Sequence, residues 1–109
     1  MNNYKLFLDD ERFPPDDGNH WDIVRSARDA YDFFIKKRCP DFISFDHDLG
    51  EDGTGKDVAN WIIKTDLDYK GKFIPDGFDF RVHSQNPIGA KNISELLNQY
   101  LEHRKNLTK

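Results

Sequence analysis

Phe42-Ile43-Ser44-Phe45-Asp46-His47-Asp48-Leu49-Gly50 is the stretch on which the fold of this chain turns. An apolar run breaks off into two carboxylates, an imidazole and a glycine. A run this short, closed by turn-forming residues, reads as a buried strand. Buried parallel strands hand over their polar groups at the carboxyl end, where the chain leaves the sheet. Asp46, His47 and Asp48 are therefore expected on the rim of a sheet, above a core. Tyr4-Lys5-Leu6-Phe7-Leu8 runs in the same way into Asp9-Asp10-Glu11-Arg12. Phe78-Asp79-Phe80-Arg81-Val82 runs into His83-Ser84-Gln85-Asn86-Pro87. The three polar ends are expected to meet.

The segments between them alternate in type. Lys5 to Leu8 reads as a first, central strand. Glu11 to Trp21 holds Pro14-Pro15-Asp16-Asp17-Gly18 and reads as a loop, because two prolines and a glycine forbid a regular helix. Trp21 is expected to pack beneath that loop. Ile23-Val24 is a short second strand. Ser26 caps a helix from Ala27 to Lys37, with Ala27, Ala30, Tyr31, Phe34 and Ile35 as its apolar stripe. After the third strand comes a flexible acidic loop from Leu49 to Gly53. Thr54 or Gly55 then opens a helix carrying Val58, Ala59, Trp61, Ile62 and Ile63, which fades near Asp66 to Gly71. Phe80 to Val82 is the last strand. Asn86 and Pro87 start a final helix reaching about Arg104, with Ile93, Leu96, Leu97, Tyr100 and Leu101 inward.

Strands alternating with helices imply an α/β fold with a parallel sheet covered on both faces and right-handed crossovers. Four strands in the order 2-1-3-4 put the ends of the first, third and fourth side by side. The 109 residues suit a single domain, 1–109. The net charge of -4 argues against a broad basic face for long duplex nucleic acid, but leaves room for a short or terminal nucleotide. One cysteine, Cys39, rules out an intrachain disulfide and reads as a packing residue. No apolar stretch is long enough to span a bilayer, and the first residues lack a signal-peptide core, so a cytoplasmic protein with no membrane partner is expected.

Asp9, Asp10, Asp46 and Asp48 would crowd like charges into one crevice. Such crowding raises pKa values and destabilises the fold unless a cation sits there. Oxygen donors favour Mg²⁺, with Mn²⁺ or Ca²⁺ possible, over Zn²⁺ or copper. The start of the last helix presents free N–H groups, and Ser84 and Asn86 add donors, so a phosphoryl group suits that spot. Arg12 could neutralise its charge. His47 and His83 stand on neighbouring strand ends and can serve as acid and base, with Asp46 between them. His20 and His103 lack supporting neighbours and read as surface residues.

At these residues the chain resembles the receiver superfamily. Asp9-Asp10, Asp46 and Ser84 fall where receivers carry paired acids, a phospho-accepting aspartate and a hydroxyl. A lysine after a fifth strand has no counterpart here, and the 11–21 loop takes the place of a receiver's first helix. The chain is more closely similar to the cyclic-phosphate processing receiver domains. That resemblance is carried by Leu8-Asp9-Asp10-Glu11-Arg12 with Pro14, Asp46-His47-Asp48-Leu49-Gly50, Thr54-Gly55, and His83-Ser84-Gln85-Asn86-Pro87-Ile88-Gly89-Ala90 with Asn92-Ile93. It implies a three-layer, receiver-like (flavodoxin-like) sandwich with about three helices. It also implies histidines added to an acidic pocket, acting on cyclic phosphates such as those of nucleotides or RNA ends. The expected activity is therefore metal-dependent processing of a small phosphorylated ligand. A phosphoacceptor switch on Asp46 and a non-enzymatic phosphate-binding module are the alternatives.

Overall fold

The computed structural model describes residues 4–49 and 53–107. In chain order these form β1 (Lys5–Leu8), β2 (Trp21–Val24), α1 (Ala27–Lys37), β3 (Phe42–Phe45), α2 (Gly55–Asp68), β4 (Asp79–Val82) and α3 (Pro87–Leu107). The four strands pair in parallel in the order β2-β1-β3-β4, as expected. Strand β2 begins at Trp21, two residues before the expected Ile23. The indole of Trp21 packs edge-on against Phe7 and Phe42 and donates to Asp17, so it lies on the sheet as a strand residue. Gly50, Glu51 and Asp52 of the expected acidic loop lie outside the described residues.

Capping chemistry sets where the helices start. Ser26 Oγ accepts the N–H of Asp29 at 3.1 Å, satisfying a donor the first turn of α1 leaves over. Thr54 and Asp57 form a reciprocal capping box at α2. Asn86 Oδ1 accepts the N–H of Gly89 at the start of α3. Gly55 is required for contact: a Cβ there would fall 2.0 Å from the carbonyl oxygen of Asp46. The helix therefore begins directly against the end of β3, and the Gly55 N–H reaches the carbonyl of His47 at 2.7 Å.

A single apolar cluster joins Leu6, Leu8, Val24, Ile43 and Phe45 of the sheet to Ala30 and Phe34 of α1, Val58 and Ile62 of α2, and Ile93 and Leu97 of α3. Helix α2 contacts both α1 and α3, so the three helices lie side by side over the one sheet face that carries these residues. The order, parallel sense and helix number are as expected. The opposite face, also expected to be covered, carries the 9–20 loop in place of a helix. Handedness gives the reason: β2-α1-β3 and β3-α2-β4 both step the same way across the sheet, and right-handed crossovers in one direction place their helices on one face. The backward step, β1 to β2, is made by the proline-containing loop. Residues of the opposite parity (Phe7, Ser44 and Arg81 among them) face that side. Ile35, expected in the stripe of α1, is 72% exposed; Phe33 packs on the core margin against Tyr4 instead.

Candidate functional site

The sheet ladder runs one step past its last paired row. The N–H of Asp46 reaches the carbonyl of Leu8 at 2.9 Å, and that of His83 reaches the carbonyl of Phe45 at 2.9 Å. Asp9, Asp46 and His83 thus form the next row after Leu8, Phe45 and Val82. Strand alternation turns all three toward the side of Phe7, Ser44 and Arg81, away from the helices. One ligand atom from each lies within 4.8 Å of the other two.

Asp9 is fully buried. Its Oδ1 accepts the N–H groups of Glu11 and Arg12, each at 2.9 Å, and its Oδ2 meets His83 Nε2 at 2.9 Å. Burial alone would raise its pKa, but these N–H bonds and the imidazole outweigh it and hold the carboxyl below its ordinary value. His83 stacks on Phe7, with ring centroids 4.6 Å apart and planes within 6°. Its Nδ1 lies 2.7 Å from Ser44 Oγ, and Ser44 in turn accepts from Arg81 Nε at 3.3 Å. Arginine can only donate, so Ser44 Oγ accepts from Arg81, and the two imidazole nitrogens are each engaged, Nδ1 by Ser44 and Nε2 by Asp9. A stacked ring bonded at both nitrogens has one orientation.

Asp46 has the opposite balance. Burial raises its pKa first, and the charge of Asp9 raises it further. The N–H of Asp48, the imidazole of His83 and the hydroxyl of Ser84 oppose this without cancelling it. Two carboxylates therefore share a buried rim, and one of them bears the cost of their repulsion.

The other expected residues are placed around this core. Asp10 is exposed and stands outside the group of Asp9, Asp46 and His83. The Asp48 side chain is 66% exposed, and its Oδ1 lies 2.9 Å from His47 Nδ1. The His47 ring lies against the backbone of Gly89, where a Cβ would come within 2.3 Å of it. Ser84 bridges Asp46 and the N–H of Asn86. Asn86 spends its Oδ1 on capping α3. Arg12 is exposed and supports the site through its backbone, donating N–H to Asp9 and accepting a bond from Arg25 at its carbonyl. The structure thus joins Asp9, Asp46, His83 and Ser84 directly. It places His47 and Asp48 at the first turn of α3, and leaves Asp10 and the Arg12 side chain at the edge.

The profile of the cyclic-phosphate processing receiver domain matches residues 4–99. The chain belongs to that family. The match runs from the residue before β1 into the second half of α3, and so takes in every element that contributes to the site. No curated protein and no solved structure is significantly similar to the chain. As a cyclic-phosphate processing receiver domain it keeps a receiver's strand order and an acidic rim, and adds imidazoles to that rim.

Sequence reasoning passed over Ser44, Arg81, Phe7 and Arg25. The signal for the first three is period two: 7 and 9, 44 and 46, and 81 and 83 share a face, so each site residue has its support two positions upstream. Ser44 is also the one polar residue within the β3 run. Arg25 carries no such pattern, since it acts on backbone carbonyls.

Proposed function

We propose that this domain is a divalent-metal-dependent phosphoesterase that opens cyclic phosphates on nucleotides or RNA ends. The observation that carries the reading is the convergence of Asp9, Asp46 and His83 within 4.8 Å, beside the hydroxyl of Ser84 and the start of α3. Two carboxylates and an imidazole suit a divalent cation, and the crowding at Asp46 is what a cation relieves. The imidazole moves the preference from a purely oxygen-bound Mg²⁺ toward Mn²⁺. Asp9, Asp46 and His83 would hold the ion, with Ser44 fixing the His83 ring from behind. When bound, the ion supplies charge neutralisation at the phosphoryl oxygens. His47, oriented by Asp48, is placed to move a proton at the mouth of α3. In the reaction, water adds to phosphorus, one ring P–O ester bond breaks, and the released alkoxide takes a proton, leaving a phosphomonoester.

The test uses purified protein with adenosine 2′,3′-cyclic phosphate, with and without Mn²⁺ or Mg²⁺. Turnover is expected only with metal. His47→Ala should lower it about 100-fold or more, the usual scale for removing an acid–base group. His83→Ala should also weaken metal binding in calorimetry. Metal-supported binding without product would make the domain a binding module. An added phosphoryl mass that Asp46→Asn abolishes would make it a phosphoacceptor.

A further inference from the structure

Phe13 is 77% exposed, yet it is not loosely placed. The guanidinium of Arg25 lies 5.1 Å from its ring centroid. The same guanidinium donates through Nη1 to the carbonyl of Asp9 at 3.1 Å and to the carbonyl of Arg12. The carboxylate of Asp9 takes the N–H groups of Glu11 and Arg12. Residues 9–13 are thus tied into one turn around a buried site residue, and Arg25 presents an aromatic ring to solvent at its edge. The ring adds nothing to the core, and its seat over Arg25 leaves it available to a ligand at the rim.

We infer that Phe13, seated on Arg25, is a stacking shelf for the base of a nucleotide whose cyclic phosphate lies at Asp9, Asp46 and His83. This rests on the phosphoesterase reading and names the part of the substrate that the acidic row does not touch. The rim fixes the direction. Arg25 follows β2, and beside it come Asp9, Asp46 and His83 at the ends of β1, β3 and β4. Neighbouring strands lie about 4.8 Å apart, so Arg25, on which the shelf is seated, is about one strand spacing from Asp9 and about two from Asp46 along the rim. That span is the reach of a single nucleotide. The base points toward β2 and the phosphate toward the Ser84 end. Charge supports the same orientation: Asp10, Glu11 and Asp16 are exposed in the loop that carries Phe13, and they repel a second phosphate while tolerating a neutral base. An aromatic face backed by arginine binds any base, so the shelf selects nucleotides as a class and not one base.

The experiment compares adenosine 2′,3′-cyclic phosphate with glycerol 1,2-cyclic phosphate, which has the strained ring and no base. Binding is measured by calorimetry in Mn²⁺ for wild type, Phe13→Leu and Phe13→Trp, each carrying His47→Ala so that the ligands are not turned over during the titration. Phe13→Leu should weaken the adenosine ligand about 5- to 100-fold, the range for losing one base stack, and leave the glycerol ligand unchanged. Phe13→Trp should keep the affinity. A 2-aminopurine analogue should be quenched on wild type and stay bright on Phe13→Leu. Equal affinity of both ligands for wild type, or equal loss of both in Phe13→Leu, overturns the shelf and leaves the phosphoesterase reading standing. Failure of wild type to bind either ligand overturns both.

Discussion

Asp9 and Asp66 are both fully buried aspartates, and they differ in what faces them. Asp66 sits at the end of α2, far from the polar rim. Its Oδ1 accepts the N–H groups of Phe73 and Ile74 at 3.0 and 2.8 Å, and its Oδ2 accepts the Tyr100 hydroxyl and lies 3.5 Å from Arg104 Nε. Arg104 goes on to donate to the carbonyls of Gly71 and Ile74. One carboxylate thus ties α2, the connection after it and α3 together, with a cation included. Asp9 also takes two N–H groups, but its third partner is an imidazole, and its neighbour is a second carboxylate. A buried charge that the protein neutralises itself serves the fold. A pair of charges left to repel one another is destabilising, and persists where something outside the chain completes it.

The sharpest way to break this contrast is to remove Asp66. Asp66→Ala takes from Arg104 its buried carboxylate, leaving it the carbonyls of Gly71 and Ile74 and the exposed Asp76, and frees the N–H groups of Phe73 and Ile74. A loss of about 3–5 kcal/mol is expected in urea unfolding, as for one partner of a buried pair. Tyr100→Phe removes only a hydroxyl donor to that carboxylate and should cost about 2 kcal/mol. Burial and the adjoining Asp66 raise the pKa of Tyr100, so its hydroxyl stays a donor throughout the working range. Ser44→Ala tests the other region. It should leave the His83 ring stacked on Phe7 but unbonded at Nδ1, and lower Mn²⁺ affinity about 10-fold in a titration. A loss of stability with unchanged metal affinity would make Ser44 a fold residue like Tyr100.

The sequence made these two regions unequally legible. Strand ends announce themselves, because an apolar run that stops at Asp9 or Asp46 marks both the sheet and its rim. Strand order and the meeting of the three ends followed from that. The support behind the rim was harder to see. Ser44 and Arg81 act across strands, and Arg25 acts on carbonyls, which no residue pattern encodes. Asp66 was read as the fraying end of a helix. Its partners lie 7, 8, 34 and 38 positions away, and nothing local distinguishes it from a solvated acid. That one sheet face carries a loop and no helix was missed for a different reason: alternation of elements says that crossovers exist, while their direction decides which side they cover.

The subtlest prediction reverses the usual sign of a core substitution. Burial and the charge of Asp9 raise the pKa of Asp46 in the folded state. The fold therefore binds that proton more tightly than the unfolded chain does, and ionising Asp46 costs stability. The penalty is absent below the ordinary aspartate pKa, grows as pH rises through that value toward the raised one, and is full above it. Asp9 has the opposite sign: its lowered pKa stabilises the fold above the ordinary value, and that gain is lost as pH falls through the folded pKa. Asp46→Asn should then stabilise the metal-free protein by about 1 kcal/mol at neutral pH, the scale of relief at functional sites, and by nothing in acid. With chelator present, its melting temperature should exceed that of wild type. Adding Mn²⁺ should raise wild type and leave the variant where it was, because the carboxylate that repels Asp9 is one of the three groups proposed to hold the ion. If Asp46→Asn instead destabilises the chelated protein across the whole pH range, Asp46 is a second Asp66, and the rim is scaffolding.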